Sequence, residues 1–263
     1  MTDAVPHFRK PNIRALFQPD SGFLLVDADL SGADAQVVFA EAGEWDTVAR
    51  LRAGGKLHSE TGHAFWGERY DTAPGDTKNP ATAKGKMYAD MKSASHGCNY
   101  YAGGRTIALN RGWPVAEGDR FKKMWFSLHP GIKQWHERTE LELRTTRSTR
   151  NPFGYRIHWF DRIDGLMPEA LAWQAQSAVA IVTFLAAEKL RIAFPFVQFL
   201  IQVHDSLVFQ IPRSEAAALS SIAVALEVEV PYSPASLIIP WKLATSEKSW
   251  GDCQAWPQKE SAI

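Results

Sequence analysis

The sequence predicts an α+β fold, an antiparallel sheet built from the two ends of the chain with a block of helices inserted between them. Three observations predict it. Short apolar runs of strand character lie at residues 23–29, 199–211 and 238–245. The long interval between the first and second is filled by helical periodicity and helix-stop signals. No regular strand–helix–strand alternation, the mark of a parallel sheet, is present. At 263 residues, 45% hydrophobic and 22% charged, the chain can bury one large core or two modest ones.

The elements follow in order. Residues 23–29 read as a buried strand. Ser31 followed by Asp34 resembles a capping box, with Asp in place of Glu, opening a helix through Val37, Val38 and Phe39. Gly54-Gly55 marks a turn, His58 to Trp66 a helix, and Asp71 to Asn79 a polar loop. The next helix has Asn79 as N-cap, Pro80 at its first position and Gly103-Gly104 just past its end. Within it Tyr88, Lys92, His96 and Tyr100 recur every fourth residue and share one face. Gly85 and Gly97 weaken it, and Gly97 signals close packing against the backbone. Helix continues from Ala116 to about Thr145 with a break at Pro130. Asn151-Pro152-Phe153-Gly154 is a turn before strand-like residues, and Pro168 starts a long apolar helix through about Ala193. Residues 199–211 are two apolar runs meeting at His204-Asp205, a β-hairpin with the aspartate at its tip. Ser214 caps a helix to about Val228, and Ile238 to Thr245 is a last strand. There is no internal repeat and no low-complexity segment.

Composition excludes several classes. No run approaches the roughly 18 apolar residues of a membrane span. Met1-Thr2-Asp3-Ala4 does not open a signal peptide. Cys98 and Cys253, the only cysteines, make neither a disulfide framework nor a zinc set and fit a reducing cytoplasm. A formal net charge of zero argues against a free-standing nucleic-acid binder. Charge is local, however: Arg144, Arg147, Arg150, Arg156 and Arg162 are opposed in that stretch only by Asp161. Such a run is ordinarily a solvated face, and becomes a phosphate contact only where other features point to nucleic acid. The 10 tryptophans fit either an aromatic core or exposed stacking surfaces.

Two segments carry chemistry. Val26-Asp27-Ala28-Asp29-Leu30-Ser31 and Val203-His204-Asp205-Ser206 are apolar runs that end abruptly in aspartate. An ionised carboxylate beside a core is costly unless paired or bound to metal. Asp29 and Asp205 brought together have the layout of two-metal phosphoryl or nucleotidyl transfer. Unrelated aspartates at strand exits, where turn residues abound, are the alternative.

Taken in order, these segments resemble the family A DNA polymerases, the group of bacterial DNA polymerase I and phage replicative enzymes. The resemblance runs from about Pro11 to about Trp250. Phe23 to Gln36 resembles the first palm motif, an aspartate followed by Tyr/Ala-Ser-x-x-Glu. Tyr88 to Tyr101 resembles the fingers motif Arg-x-x-x-Lys-x-x-x-Phe/Tyr-Gly-x-x-Tyr. Asn151 to Arg156 resembles the Phe-Gly-Arg segment, Gln176-Ser177-Ala178 the Gln-Gly/Ser-x-Ala helix, and Val203 to Ser206 the Val-His-Asp-Glu motif. The resemblance implies a right-hand palm (1–56 and 148–263) with inserted helical fingers (57–147). It implies two Mg2+ ions about 3.5–4 Å apart on Asp29, Asp205 and the Leu30 backbone carbonyl. Lys92 would contact the triphosphate, with His58 and Tyr88 beside it. His96 and Tyr100 would line the nucleotide pocket, and Asp34 would crowd the sugar 2′ position. Arg156, Gln176 and His204 would touch the primer–template. The implied substrates are dNTPs and primer–template DNA, in a cell or host-cell cytoplasm, with no membrane.

The chain also departs from the pattern. Tyr88 replaces an arginine, with Lys84 or Lys86 as candidate substitutes; His96 replaces Phe or Tyr, and its imidazole can still stack. Ser206 replaces a glutamate and Gln36 an arginine. Asp34 stands for a longer glutamate, which loosens the sugar gate. Little chain precedes Asp29, so a thumb, with or without an exonuclease, is expected on a second polypeptide. Two other readings stay open. His-Asp-Ser and Gln36 also occur in single-subunit RNA polymerases, against which Asp34, Gly97 and the Asn-Pro-Phe-Gly turn weigh. The departures also suit a non-catalytic polymerase-derived scaffold, against which Asp29, Asp205 and Lys92 weigh.

Overall fold

Residues 23–30 place apolar side chains on both faces of an extended segment, so the strand they form has to be covered on both sides of its sheet. The computed structural model describes residues 12–256. The Met1–Ala4 start and Pro11 lie outside the described residues. In chain order the elements are β1 (Phe23–Leu30), α1 (Ala33–Glu41), α2 (Trp45–Arg52), α3 (Leu57–Trp66), α4 (Glu68–Asp71), α5 (Ala83–Asn99), α6 (Gly104–Arg111), α7 (Val115–Leu128) and α8 (Pro130–Thr146). There follow β2 (Ser148–Arg150), β3 (Arg156–His158), α9 (Ile163–Ala193), β4 (Gln198–Val203), β5 (Ser206–Pro212), α10 (Leu219–Ala225), β6 (Glu229–Val230), β7 (Leu237–Ile238), β8 (Trp241–Ser246) and β9 (Gln254–Ala255). The α+β class, with strands at the chain ends and helices between, is as the sequence predicts.

The chain divides into two compact units. The first comprises the chain up to Ser31, Ala180–Val228 and the chain from Ile238 on. Its framework is a five-stranded antiparallel sheet in the order β4-β5-β1-β8-β9. β1 is central and pairs with β5 and β8. Leu25, Val26 and Ala28 of β1 are wholly buried, and Leu25 packs with Val208 and Trp250. The second unit, Gly32–Val179 with Glu229–Leu237, is mainly helical. Trp125, Trp135, Phe39, Phe121 and Met91 fill its core. The buried indoles keep their N–H groups satisfied: Trp125 donates to Asn99 Oδ1 at 3.1 Å and Trp135 to Gln174 Oε1 at 2.9 Å.

Several boundaries differ from the sequence expectation, each for a local reason. The Ser31–Asp34 capping box does not form, because α1 starts at Ala33 after Gly32, which has φ of 61° and no capping side chain. Thr82 rather than Asn79 caps α5, its Oγ1 accepting the Gly85 amide at 3.0 Å. Asn79 and Pro80 lie in the preceding turn, where Asn79 Oδ1 accepts the Ala81 amide at 3.1 Å. The close approach expected at Gly97 is found at Gly85 instead. A Cβ there would lie 1.9 Å from the Asn79 carbonyl oxygen, whereas at Gly97 its nearest neighbour would be Ala102 at 3.4 Å. Gly103-Gly104 opens α6, and Tyr101 with φ of 71° turns the chain after α5. Pro168 lies inside α9, which begins earlier at Ile163 and forgoes one helix hydrogen bond. Ser214 caps nothing: Arg213–Ala218 is a 3-10 turn and α10 is short. The last strand breaks at Pro240, which cannot donate to a ladder; β7 pairs with β6 before it and β8 begins after it.

The expectation that no segment could span a membrane needs correction. Gly165–Ala193 is long and apolar enough to cross one by length and composition. Its apolar content is explained by a stripe of buried residues, Ala170, Leu171, Ala175, Ala178, Val182 and Ala186, at helical spacing.

Glu41 near the end of α1 accepts a hydrogen bond from Tyr232 Oη at 3.1 Å. Burial pushes its carboxyl up from 4.5 to about 7, against the opposing Tyr232 hydrogen bond and the Arg138 charge. Between these pH values the folded protein keeps a proton that the unfolded chain has released, so stability falls as pH rises through the window. Glu41→Gln should therefore stabilise the protein at pH 8 by roughly 2 kcal/mol and change little at pH 4. Urea unfolding at both pH values checks this; an equal effect at both would contradict it.

Candidate active site

Register brings the two predicted aspartates together. In the β1–β5 ladder Asp29 lies opposite Ser206, the residue after Asp205. The Leu30 amide donates to the Asp205 carbonyl at 3.1 Å, extending that ladder to the turn. Val203 pairs with Ser206, so β4 and β5 are joined by His204 and Asp205 alone. His204 has φ of 54°, the positive value that tight two-residue hairpins demand at their first position. The turn thus holds Asp205 beside the exposed end of β1. Partial loss of hydration, then the charges of Asp205 and Asp27, raise the Asp29 carboxyl above its ordinary range; Lys242 and Arg14 oppose them. Lys242 sits directly across β8 from Asp29.

Asp27, on the same strand face two residues earlier, was not singled out from sequence. Its Oδ1 accepts from Ser206 Oγ at 2.7 Å and its Oδ2 from Trp250 Nε1 at 2.7 Å. Both oxygens are therefore engaged inside the protein. Arg14 lies 4.4 Å over the Trp250 ring and Phe17 meets that ring edge-on at 5.8 Å. Ser206, standing where a glutamate was expected, thus fixes a neighbouring carboxylate. Strand period 2 is the signal that could have found Asp27.

Among the described residues, no group of three or more His, Cys, Asp or Glu is arranged to hold a metal. Asp29 and Asp205 form a pair of hard oxygen donors whose mutual repulsion a cation would relieve. That donor set fits magnesium, which usually takes one or two carboxylates and completes its shell with water and substrate phosphates.

A second cluster lies in the helical unit. Tyr100 Oη donates a short hydrogen bond to Asp34 Oδ1, and His96 Nδ1 lies 3.4 Å from Asp34 Oδ2. The His96 and Tyr100 rings meet at 4.8 Å and 67°. Burial, then the Asp34 charge and hydrogen bond, hold the Tyr100 phenol well above its usual range. About two turns before His96, Tyr88 meets the His58 ring edge-on at 5.5 Å. Burial, then the charges of Lys92 and His96, push His58 down to about 4, so it is neutral at pH 7. Lys92 and His96 are exposed on this face. Lys84 does not supply the missing arginine charge, because its Nζ donates to the Tyr70 and Asp71 carbonyls. Lys86 lies half a helical turn away from Tyr88.

The three residues expected at the primer–template are exposed: Arg156 on β3, Gln176 on α9, and His204 in the hairpin turn. Asn151 organises the first two. Its Oδ1 accepts the Phe153 and Tyr155 amides at 3.1 Å each, and its Nδ2 donates to Ser177, next to Gln176, at 3.0 Å. Arg150 and Arg156 are directly cross-strand, an arrangement of like charges that disfavours the ladder unless an anion lies near. Glu142 is such an anion in part: burial raises its carboxyl overall, while Arg156, Arg150 and Arg138 act to lower it.

Comparison with known proteins adds to this geometry. The family described as DNA polymerase family A matches residues 5–251. The chain is 26% identical over 238 residues to the thermostable DNA polymerase I of Thermus filiformis, covering 83% of this chain and 27% of that protein. It is 25% identical over 205 residues to the DNA polymerase of Mycobacterium phage D29, covering 78% of this chain and 31% of that one. The chain thus spans about a quarter to a third of the length of these curated relatives. Its fold is similar to that of the POL domain of Pol1 from M. smegmatis, solved in complex with DNA primer–template and dNTP. The TM-score is 0.74 at 18% identity, covering 91% of this chain and 42% of that one.

Proposed function

The chain belongs to DNA polymerase family A, and from that premise we propose that it carries the palm carboxylates and fingers helix of a template-directed DNA polymerase. The observation that carries this reading is the β1–β5 register that sets Asp29 beside Asp205. Asp29, Asp205 and the Leu30 carbonyl would hold two magnesium ions, which when bound would supply activation of the primer 3′-hydroxyl and charge neutralisation on the triphosphate and leaving pyrophosphate. The protein's own groups orient the reactants. Lys92 contacts the triphosphate as a flexible point charge. His58, neutral and packed on Tyr88, supports that face without adding charge. His96 lies against the base and sugar. Tyr100 and Asp34, locked by their hydrogen bond, wall the sugar, so Asp34 is held against the 2′ position in spite of its short side chain. Arg156, Gln176 and His204 contact the primer–template. Residues 1–56 and 148–263 act as palm and 57–147 as fingers.

The test is magnesium-dependent extension of a primed template, with dNTPs or NTPs, with and without a thumb-bearing partner. The wild-type chain should prefer dNTPs, and Asp34→Ala should reduce that preference about tenfold or more, because one walled group typically decides 1–3 kcal/mol. A wild-type preference for NTPs would favour the RNA polymerase reading, which Ser206 and Gln36 support. No extension under any condition would favour the scaffold.

A further inference from the structure

A cleft of about 640 Å³ opens in the helical unit among the ends of α3 and α4, the start of α5, and the α6–α7 turn. Lys86 and Asp90 line it, and they lie about 200° around α5 from Tyr88 and Lys92. The nucleotide face described above does not use it.

One wall is aromatic and rigid. Trp66 and Trp113 meet edge-to-face at 5.7 Å and 80°. Each is backed by another ring: Trp66 by Tyr70 at 6.4 Å and 10°, Trp113 by Phe65 at 5.5 Å and 22°. Both indoles remain partly exposed to the cleft. Backing of this kind fixes a flat surface in advance, so stacking a ligand on it costs little side-chain ordering.

The charge is in excess positive. Arg69, Lys86 and Arg111 line the cleft against Asp90 and Glu117. Glu117 is already engaged by Arg120 at 2.7 Å. Arg111 lies 3.7 Å from Asp90, beyond hydrogen-bond reach, so its forked N–H groups are not consumed by that carboxylate. Burial raises the Asp90 carboxyl, while Arg111 and Lys86 act to lower it, so both cations lie within electrostatic reach of that acid. A flat aromatic wall beside a planar arginine and two exposed cations is the combination that takes a base and its phosphate.

We propose that this cleft is a second nucleotide site, binding one phosphorylated nucleoside unit with its base on the Trp66–Trp113 wall and its phosphate at Arg111, Arg69 and Lys86. The unit comes either from an unpaired nucleic-acid strand or from a free nucleotide. The binding chemistry stands on the cleft alone; only an unpaired template as its source rests on the polymerase reading.

The test uses the full chain and two probes: a fluorescein-labelled dT 12-mer read by anisotropy, and radiolabelled dTMP read by equilibrium dialysis. Arg69→Glu and, separately, Trp113→Phe should weaken one probe about five- to tenfold. Lys133→Glu, an equal charge change at an exposed helix position, should alter it less than about twofold. Loss for the 12-mer assigns the site to a single strand, and saturable dTMP binding lost in both variants assigns it to a free nucleotide. Neither probe weakened relative to Lys133→Glu overturns the proposal. Primer extension by the wild-type chain is measured in parallel: a wild-type chain that extends no primer while its variants still lose probe binding contradicts the polymerase reading and not the cleft.

Discussion

Asp205→Asn should lower magnesium-dependent primer extension by about a thousandfold or more, and Asp29→Asn should do the same. A bound metal contributes several kcal/mol of transition-state charge stabilisation, and each 1.36 kcal/mol is a factor of ten in rate. Asparagine keeps the size of aspartate, so the hairpin turn and the β1 ladder are retained. The stability readout separates chemistry from folding. Burial, then the charges of Asp205 and Asp27, raise Asp29, so removing its charge relieves both desolvation and repulsion. The melting temperature of Asp29→Asn should therefore be unchanged or higher while activity is lost, the trade-off expected of a site built from like charges. Extension that survives in both variants would remove these carboxylates from the reaction. Activity lost only together with the fold would leave them structural.

The second large effect lies in the core. Trp125→Ala should destabilise the helical unit by about 3–5 kcal/mol. The side chain is wholly buried, stacked on Phe121 at 6.2 Å and 13° and packed against His129 at 4.4 Å. Its loss leaves a large cavity and deprives Asn99 Oδ1 of its donor. Asn99 also accepts from His136 Nε2 at 2.8 Å, and burial pushes His136 down to about 4. Trp125→Phe, which keeps the ring packing and loses only the indole N–H, should cost less than half as much. Urea unfolding followed by circular dichroism measures both. A cost for Trp125→Ala below about 1 kcal/mol would mean that this cluster does not hold the unit together.

What could be read from the residues followed the physics of each signal. The hairpin was legible because two apolar runs have one polar interruption, and that interruption alone places Asp205 at a tip. The shared face of Tyr88, Lys92, His96 and Tyr100 was legible because a four-residue period survives whatever the helix packs on. Caps were less legible, since Asn79 and Thr82 are both good capping residues and the choice rests on Gly85 letting the turn fold back onto the helix. Trp45–Arg52 was missed as a helix because its apolar positions, Trp45, Val48 and Leu51, cover too short a window to show a period. Asp27 was missed because its partners, Ser206 and Trp250, lie far along the chain. The cleft around Trp113 was invisible because it is assembled from five separate helix ends.

The order of strands has a consequence for how the molecule is made. The centre of the sheet is β1, yet its neighbours are distant: Leu25 aligns with Gln210 on one side and with Ser246 on the other. During synthesis at about 5–20 residues per second, this apolar segment emerges roughly ten seconds or more before either edge can be covered. The helical segments emerge meanwhile and can form from local contacts, whereas the sheet waits for β8. Nascent chains stalled before β8 should therefore expose an aggregation-prone strand, and a ribosome-associated chaperone should hold such chains longer than the finished protein.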